Sequence, residues 1–137
     1  MTAPREKIEK KVRQWFTYAQ QDLQVARHAL TMEECPGQVV CFLSQQAAEK
    51  SLKAFLLCRG QEIPHTHNVA VLLELCSRSA TWTEQLSEAS SLTPYAVATR
   101  YPGASERLSD TEVHEAVRLA QLVIDRVSEA LMNEGIC

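Results

Sequence analysis

Hydrophobic positions recur along most of this chain with the period of a helix. Between Arg5 and Leu30, the residues Val12, Phe16, Ala19, Leu23, Ala26 and Leu30 follow at alternating four- and three-residue steps. That is the spacing of a stripe one helix buries against another. Beside it runs a second row, Trp15, Tyr18, Asp22, Val25 and Ala29, in which Asp22 interrupts apolar neighbours. An Asp there either tips over the edge into water or is half-buried with a cationic partner. Cys35-Pro36-Gly37 ends this helix and turns the chain, and a second helix is predicted from Gln38 to Cys58. Arg59-Gly60 closes it, with a cation at the negative end of the helix dipole followed by the residue favoured in a left-handed cap.

Shorter elements follow. A loop from Gln61 to Thr66, which Pro64 keeps out of helical geometry at Ile63, leads to His67. A short helix then has Val69, Leu72, Leu73 and Cys76 as its apolar side and is released at Ser77-Arg78-Ser79. Trp82, Leu86, Ala89 and Leu92 predict a fourth helix. Thr93-Pro94 has the form of an N-cap with Pro at the first helical position, so the segment through Arg100 either continues that helix with a kink or restarts it. Tyr101-Pro102-Gly103 stops it. Ser109-Asp110-Thr111-Glu112 is a capping box opening a last helix whose stripe is Val113, Val117, Ala120, Ile124, Val127 and Leu131. No segment alternates with period two, and no Asn-Gly or Asp-Gly hairpin signal occurs. The pattern predicts an all-α fold: a single domain over residues 1–137, an up-and-down bundle of about five helices.

Composition narrows the function classes. A chain of 137 residues can bury a core without staples. Its net charge of −3, with acidic and basic residues interspersed, disfavours a protein that grips duplex nucleic acid by counterion release. Any polynucleotide contact is expected to be local. No signal peptide or bilayer-spanning window is found. The five cysteines lack a C-x-x-C spacing, which fits reduced thiols in a cytoplasm. His65 and His67 could share a metal with Cys58 or Cys76, but no third ligand has a recognised spacing, and neither metal nor cofactor is expected. A Gly-rich phosphate loop, a G-x-S-x-G elbow and a zinc-hydrolase pattern are all missing.

The candidate chemistry lies first on the second helix. At about 100° per residue, Gln45, Glu49, Lys53, Gln46 and Lys50 cover an arc of roughly 140°. Phe42, Leu56 and Leu57 project from the same arc and bracket the charged stripe with large apolar side chains, which implies partial burial. Buried charges and amides need partners, either one another or groups from elsewhere. Glu49 and Lys53 also stand at i,i+4 in the favoured order, so an ordinary helix ion pair is the plain alternative. His67 opens the third helix, where a histidine either caps and faces water or does chemistry. Arg100 beside Tyr101 can grip a phosphate and stack a base, or complete a helix end and cover the core edge.

Four segments in order carry a resemblance that covers nearly the whole chain. They are Ala19-x-x-Asp22-Leu23-x-x-Ala26, Phe42-x-x-Gln45-Gln46-Ala47-Ala48-Glu49-Lys50-x-Leu52-Lys53-Ala54, Thr66-His67-Asn68 and Thr99-Arg100-Tyr101-Pro102. Together they resemble the small bacterial and archaeal HEPN proteins, the "higher eukaryotes and prokaryotes nucleotide-binding" family. The resemblance implies a bundle of about five helices, like the substrate-binding subunits of nucleotidyltransferases. It also implies a homodimer, commonly encoded beside a minimal nucleotidyltransferase in a two-component, toxin–antitoxin-like system. Within the wider superfamily, many members are metal-independent ribonucleases that use an Arg followed after four to six residues by a His. Arg59 and His65 match that spacing literally, although Gly60 follows Arg59 where a polar residue is usual, and the family-like His-Asn pair falls on His67.

Three functions follow as expectations. The first is a non-enzymatic nucleotide- or RNA-binding module in which Asp22, Gln46, Glu49, Lys50, Lys53, His67, Arg100 and Tyr101 line one groove. Lys53 and Arg100 would face phosphate there. The second is a ribonuclease using His67 or His65 with Arg59 or Arg100. The third is a structural dimerisation module whose polar stripe ties the bundle together internally.

Overall fold

The computed structural model describes residues 4–96 and 108–136. Helices α1 (Arg5–Leu30) and α2 (Gly37–Cys58) are joined by the short turn around Cys35-Pro36. They pack antiparallel over their length, the most extensive contact in the molecule. α1 ends at Leu30, capped at Thr31, and Pro36 is the N-cap of α2; Gly37, which has no side chain, opens α2. A Cβ on Gly37 would sit 2.9 Å from Val113 Cγ2, so α2 begins hard against the last helix. Both helices are rich in small buried residues: Ala19, Ala26 and Ala29 in α1, and Ala47, Ala48 and Ala54 in α2.

Helix α3 (Val69–Ser77) follows a loop, and α4 (Asp110–Asn133) closes the bundle. The capping box at Ser109 forms with both of its hydrogen bonds, Glu112 N–H to Ser109 Oγ and Ser109 N–H to the Glu112 carboxylate. α4 runs parallel to α2, meeting it near Gly37 and Val113 at one end and at Arg59 and Glu134 at the other. Both helices stop in the same way. Gly60 and Gly135 take φ of 76° and 80°, and the next two N–H groups return to the last turn, Gly60 to Leu57 and Gln61 to Leu56, Gly135 to Met132 and Ile136 to Leu131.

The element predicted as a fourth helix differs in kind. Residues Trp82–Ala96 form a 3₁₀ helix, and its buried positions are Thr83, Leu86, Ala89 and Leu92. They recur every three residues, so a 3₁₀ winding aligns them into one buried row that an α-helix would spread around its axis. Thr93 does not cap its own segment. Its hydroxyl accepts from the Val69 N–H at 3.1 Å and so caps α3 across the interface. Trp82 packs edge-on against Phe55 of α2, ring centroids 4.9 Å apart. The predicted continuation to Arg100 and the stop at Tyr101-Pro102-Gly103 lie outside the described residues, as does Cys137.

Among the described residues there is no strand. α2 touches α1, α3, the 3₁₀ helix and α4, and is the only described element that meets every other. This central position has a direct consequence for the charged stripe: a helix packed on several sides has no broad solvated face to offer it.

Candidate functional site

On α2, Gln45, Glu49 and Lys53 are buried, at 0%, 4% and 5% exposure, while Gln46 and Lys50 are half-buried. The bracketing anticipated this. Leu56 is fully buried, and Phe42 and Leu57 are half-buried. Both carboxylate oxygens of Glu49 are engaged. Oε2 accepts from the Lys53 ammonium at 2.9 Å, and Oε1 accepts from the Gln45 amide at 3.0 Å and from His67 Nδ1 at 2.9 Å. Gln45 was not among the expected site residues, yet it ties the network together. Its Nε2 also donates to the His67 carbonyl at 2.9 Å, and its Oε1 receives the Gln46 amide at 2.7 Å. The readable signal was its i,i+4 spacing from Glu49 on the same arc.

The Thr66-His67-Asn68 segment is built to hold the imidazole there. The Thr66 hydroxyl accepts from the Asn68 N–H, and the Asn68 side chain caps α3 by accepting from the Val71 N–H. His67, between them, is pinned to α2 by its carbonyl and by its ring. Its side chain is nonetheless 71% exposed while that of Glu49 is 5% exposed, so the pair runs from the protein interior to the surface. An ionised carboxylate only accepts, so Nδ1 carries the hydrogen and Nε2 is left with no partner among the described residues.

Burial alone would raise the Glu49 pKa. The hydrogen bonds from Lys53, Gln45 and His67, and the Lys53 charge, outweigh it and hold the carboxyl below its ordinary value of 4.5. The sign of the linkage follows. Glu49 contributes stability that is fully present above the unfolded carboxyl range and is lost as pH falls through the depressed folded value. Urea midpoints measured downward from neutral pH should therefore fall on acidification, and Glu49→Gln should flatten that slope. An equal slope in the variant would assign acid sensitivity to other carboxylates.

Asp22 and Lys50 meet across the α1/α2 seam at 2.7 Å, with side chains 19% and 25% exposed. The interruption in the second row of α1 is thus a half-buried, paired charge. Lys53 also lies over the Trp15 ring, 5.8 Å from its centroid. The three charges of the stripe and Asp22 of α1 cancel as Glu49 with Lys53 and Asp22 with Lys50. Together they form a neutral, internally bonded network.

Arg59 stands apart from it, at the end of α2, with its guanidinium 2.6 Å from Glu134. His65 is exposed and lines an open groove of about 670 Å³ between the first half of α1 and the loop after α2, where Trp15, Leu57 and Lys11 face it. Arg100 and Tyr101 lie outside the described residues. The structure thus brings Gln46, Glu49, Lys53 and His67 into one network, sets Asp22 with Lys50 on the α1/α2 seam, and gives Arg59 a partner just beyond α4.

The cysteines at Cys41 and Cys76 are buried, and burial pushes their thiols up to about 11 and about 12. Both are protonated at neutral pH and are poor nucleophiles or ligands. Among the described residues no three His, Cys, Asp or Glu side chains converge as a metal site, and no helix is long and apolar enough to cross a membrane.

Comparison with known proteins gives a consistent result. The HEPN domain family model matches residues 12–130. The crystal structure of TT1696 from Thermus thermophilus is similar, with a TM-score of 0.72 and 32% identity over 87% of this chain and 97% of that one. ST0689, an archaeal HEPN homologue, shares the fold, with a TM-score of 0.69 and 24% identity over 88% of this chain and 97% of that one. None of the curated proteins matches the chain.

Proposed function

The chain belongs to the HEPN family, and within it we propose a cytoplasmic nucleotide- or RNA-binding module. In this reading it is a homodimer and the partner of a minimal nucleotidyltransferase in a toxin–antitoxin-like pair. The observation that carries the binding function is the exposed imidazole of His67, fixed by a buried carboxylate and a buried amide, with its second nitrogen turned to no described partner. A protein that spends Gln45, Glu49 and Lys53 on orienting one surface ring has prepared that ring for a contact. Nε2 accepts a hydrogen bond from a ribose hydroxyl or a base. Gln46, half-buried and bonded to Gln45, and Lys50, half-buried and paired with Asp22, are the other α2 residues assigned to the contact in this reading, with Arg100 and Tyr101 as the candidates from the sequence. Nucleotides and short RNAs should raise the melting temperature. His67→Ala should weaken their binding by about twofold to tenfold, the worth of one hydrogen bond. Unchanged binding in the variant would remove His67 from the contact. Co-expression with a small nucleotidyltransferase from the neighbouring reading frame, followed by co-purification, tests the partnership.

The same pair favours a second reading, a metal-independent ribonuclease. A carboxylate behind Nδ1 orients an imidazole as a general base. Nε2 would take the proton of a ribose 2′-hydroxyl as that oxygen attacks the adjacent phosphorus; the 5′-oxygen leaves as a hydroxyl protonated from solvent, a 2′,3′-cyclic phosphate forms, and the imidazolium returns its proton to solvent. Arg59 or Arg100 would meet the phosphate, and His65 is the alternative base. Pure protein incubated with RNA in chelator should then cleave it, and His67→Ala should not. Equal residual cleavage by both would identify a contaminant.

A further inference from the structure

The polar groups of the α2 stripe are consumed by one another, by Asp22 and by His67, whereas those of the neighbouring groove are not. Lys11 and Gln14 on α1, and Glu62 and His65 on the loop after α2, line this groove of about 670 Å³, and their side chains have no hydrogen bond or ion pair among the described residues. Its apolar wall includes Trp15 and Leu57. Trp15 is the residue that joins the two regions, since it lines the groove while the Lys53 ammonium of the network lies over its ring. The indole is thus held in place from the network side by a cation, and an aromatic side chain is the usual platform on which a base stacks. Unpaired donors and acceptors around an aromatic wall are the general chemistry of a heterocycle site.

Resting on the nucleotide-binding reading, we propose that this groove takes the base of the bound nucleotide, stacked on Trp15, with Lys11 on the phosphate. Glu62 then selects for a base bearing an exocyclic amine. Adenine, cytosine and guanine present an amino donor that a carboxylate accepts, whereas uracil offers only its single ring N–H. His65 stands on the loop side of the groove as a second hydrogen-bonding group. The assignment moves base recognition away from the buried stripe and onto the α1 face and the Gln61-to-His65 loop.

The chain has two tryptophans, so Trp82→Phe leaves Trp15 as the sole emitter. This variant is titrated with a short single-stranded oligoadenylate carrying a dye, whose anisotropy reports binding independently of the tryptophan. Trp15 emission should fall with the same midpoint as the anisotropy rises. Lys11→Glu, an exposed change that leaves the core intact, should weaken binding by about tenfold, and Glu62→Gln should reduce the preference for oligoadenylate over oligouridylate. Saturating anisotropy with unchanged Trp15 emission, and Lys11→Glu binding as well as its parent, would overturn the groove assignment and leave the nucleotide-binding reading standing. No anisotropy change with either RNA would overturn both.

Discussion

Glu49→Leu should lower the stability of this protein by about 3–5 kcal/mol, because it strands a buried ammonium. Lys53 is 5% exposed, and its one anionic partner among the described residues is Glu49 at 2.9 Å. The Trp15 ring at 5.8 Å offers about 0.5–2 kcal/mol to a cation, too little to replace a carboxylate. The other groups that lose Glu49 are less exposed to penalty. Gln45 keeps its bond to the His67 carbonyl, and His67, at the surface, can bond to water. Lys53→Met is the informative contrast. It removes the cation itself and leaves Glu49 accepting from Gln45 and His67, so it should cost less than Glu49→Leu. The double variant should recover much of the loss, since exchanging a whole buried pair for apolar side chains is often neutral or stabilising by about 1–4 kcal/mol. Urea unfolding at constant m-value gives the cycle. A Glu49→Leu cost below that of Lys53→Met would mean the pair is not isolated from water. Measured alongside, RNA binding by Lys53→Met tests that role: a lost affinity makes Lys53 a contact or a support for His67, and an unchanged one confines it to stability.

The distribution of legible and illegible features follows the range of the interactions involved. α1, α2, α3 and α4 were readable because their caps and stripes are local. Ser109 with Glu112, Gly60 after Arg59, and the row from Val12 to Leu30 each settle an element within a few residues. The burial of the stripe was also readable, from Phe42, Leu56 and Leu57 on the polar arc. Its wiring was not. That Gln45 reaches the His67 carbonyl depends on where a loop 22 residues away returns, and that Asp22 finds Lys50 depends on the register of the α1/α2 hairpin. The fourth helix was legible but its 3₁₀ winding was not read, although the signal was present: Leu86, Ala89 and Leu92 keep step with Thr83 rather than with Trp82. Thr93 and Pro94 look like a local cap in sequence, and only the packing of the 3₁₀ helix on α3 turns Thr93 toward Val69. The groove was least legible of all. Lys11 and Gln14 read as the wet face of α1, and they face a concavity only because the loop after α2 folds back beside Trp15.

Leu56→Ala should cost about 2–5 kcal/mol, the range for truncating a fully buried leucine that its surroundings cannot collapse to fill. Its position makes the change more than a cavity. Leu56 is fully buried yet lies on the polar arc of α2, three residues beyond Lys53 and therefore its neighbour on the helix surface. That position would make it one of the side chains keeping water from the Glu49–Lys53 pair. The attraction between two charges varies inversely with the effective dielectric around them, so water entering beside Lys53 should weaken their coupling while easing the isolation of each charge. The Glu49→Leu penalty should consequently be smaller in a Leu56→Ala background than in the parent, a non-additivity expected of residues that share one environment. Additive losses would show that Leu56 supports the core alone. A sub-additive result would identify the apolar bracket as the element that makes this charge network rigid, and so as an indirect determinant of where His67 is held.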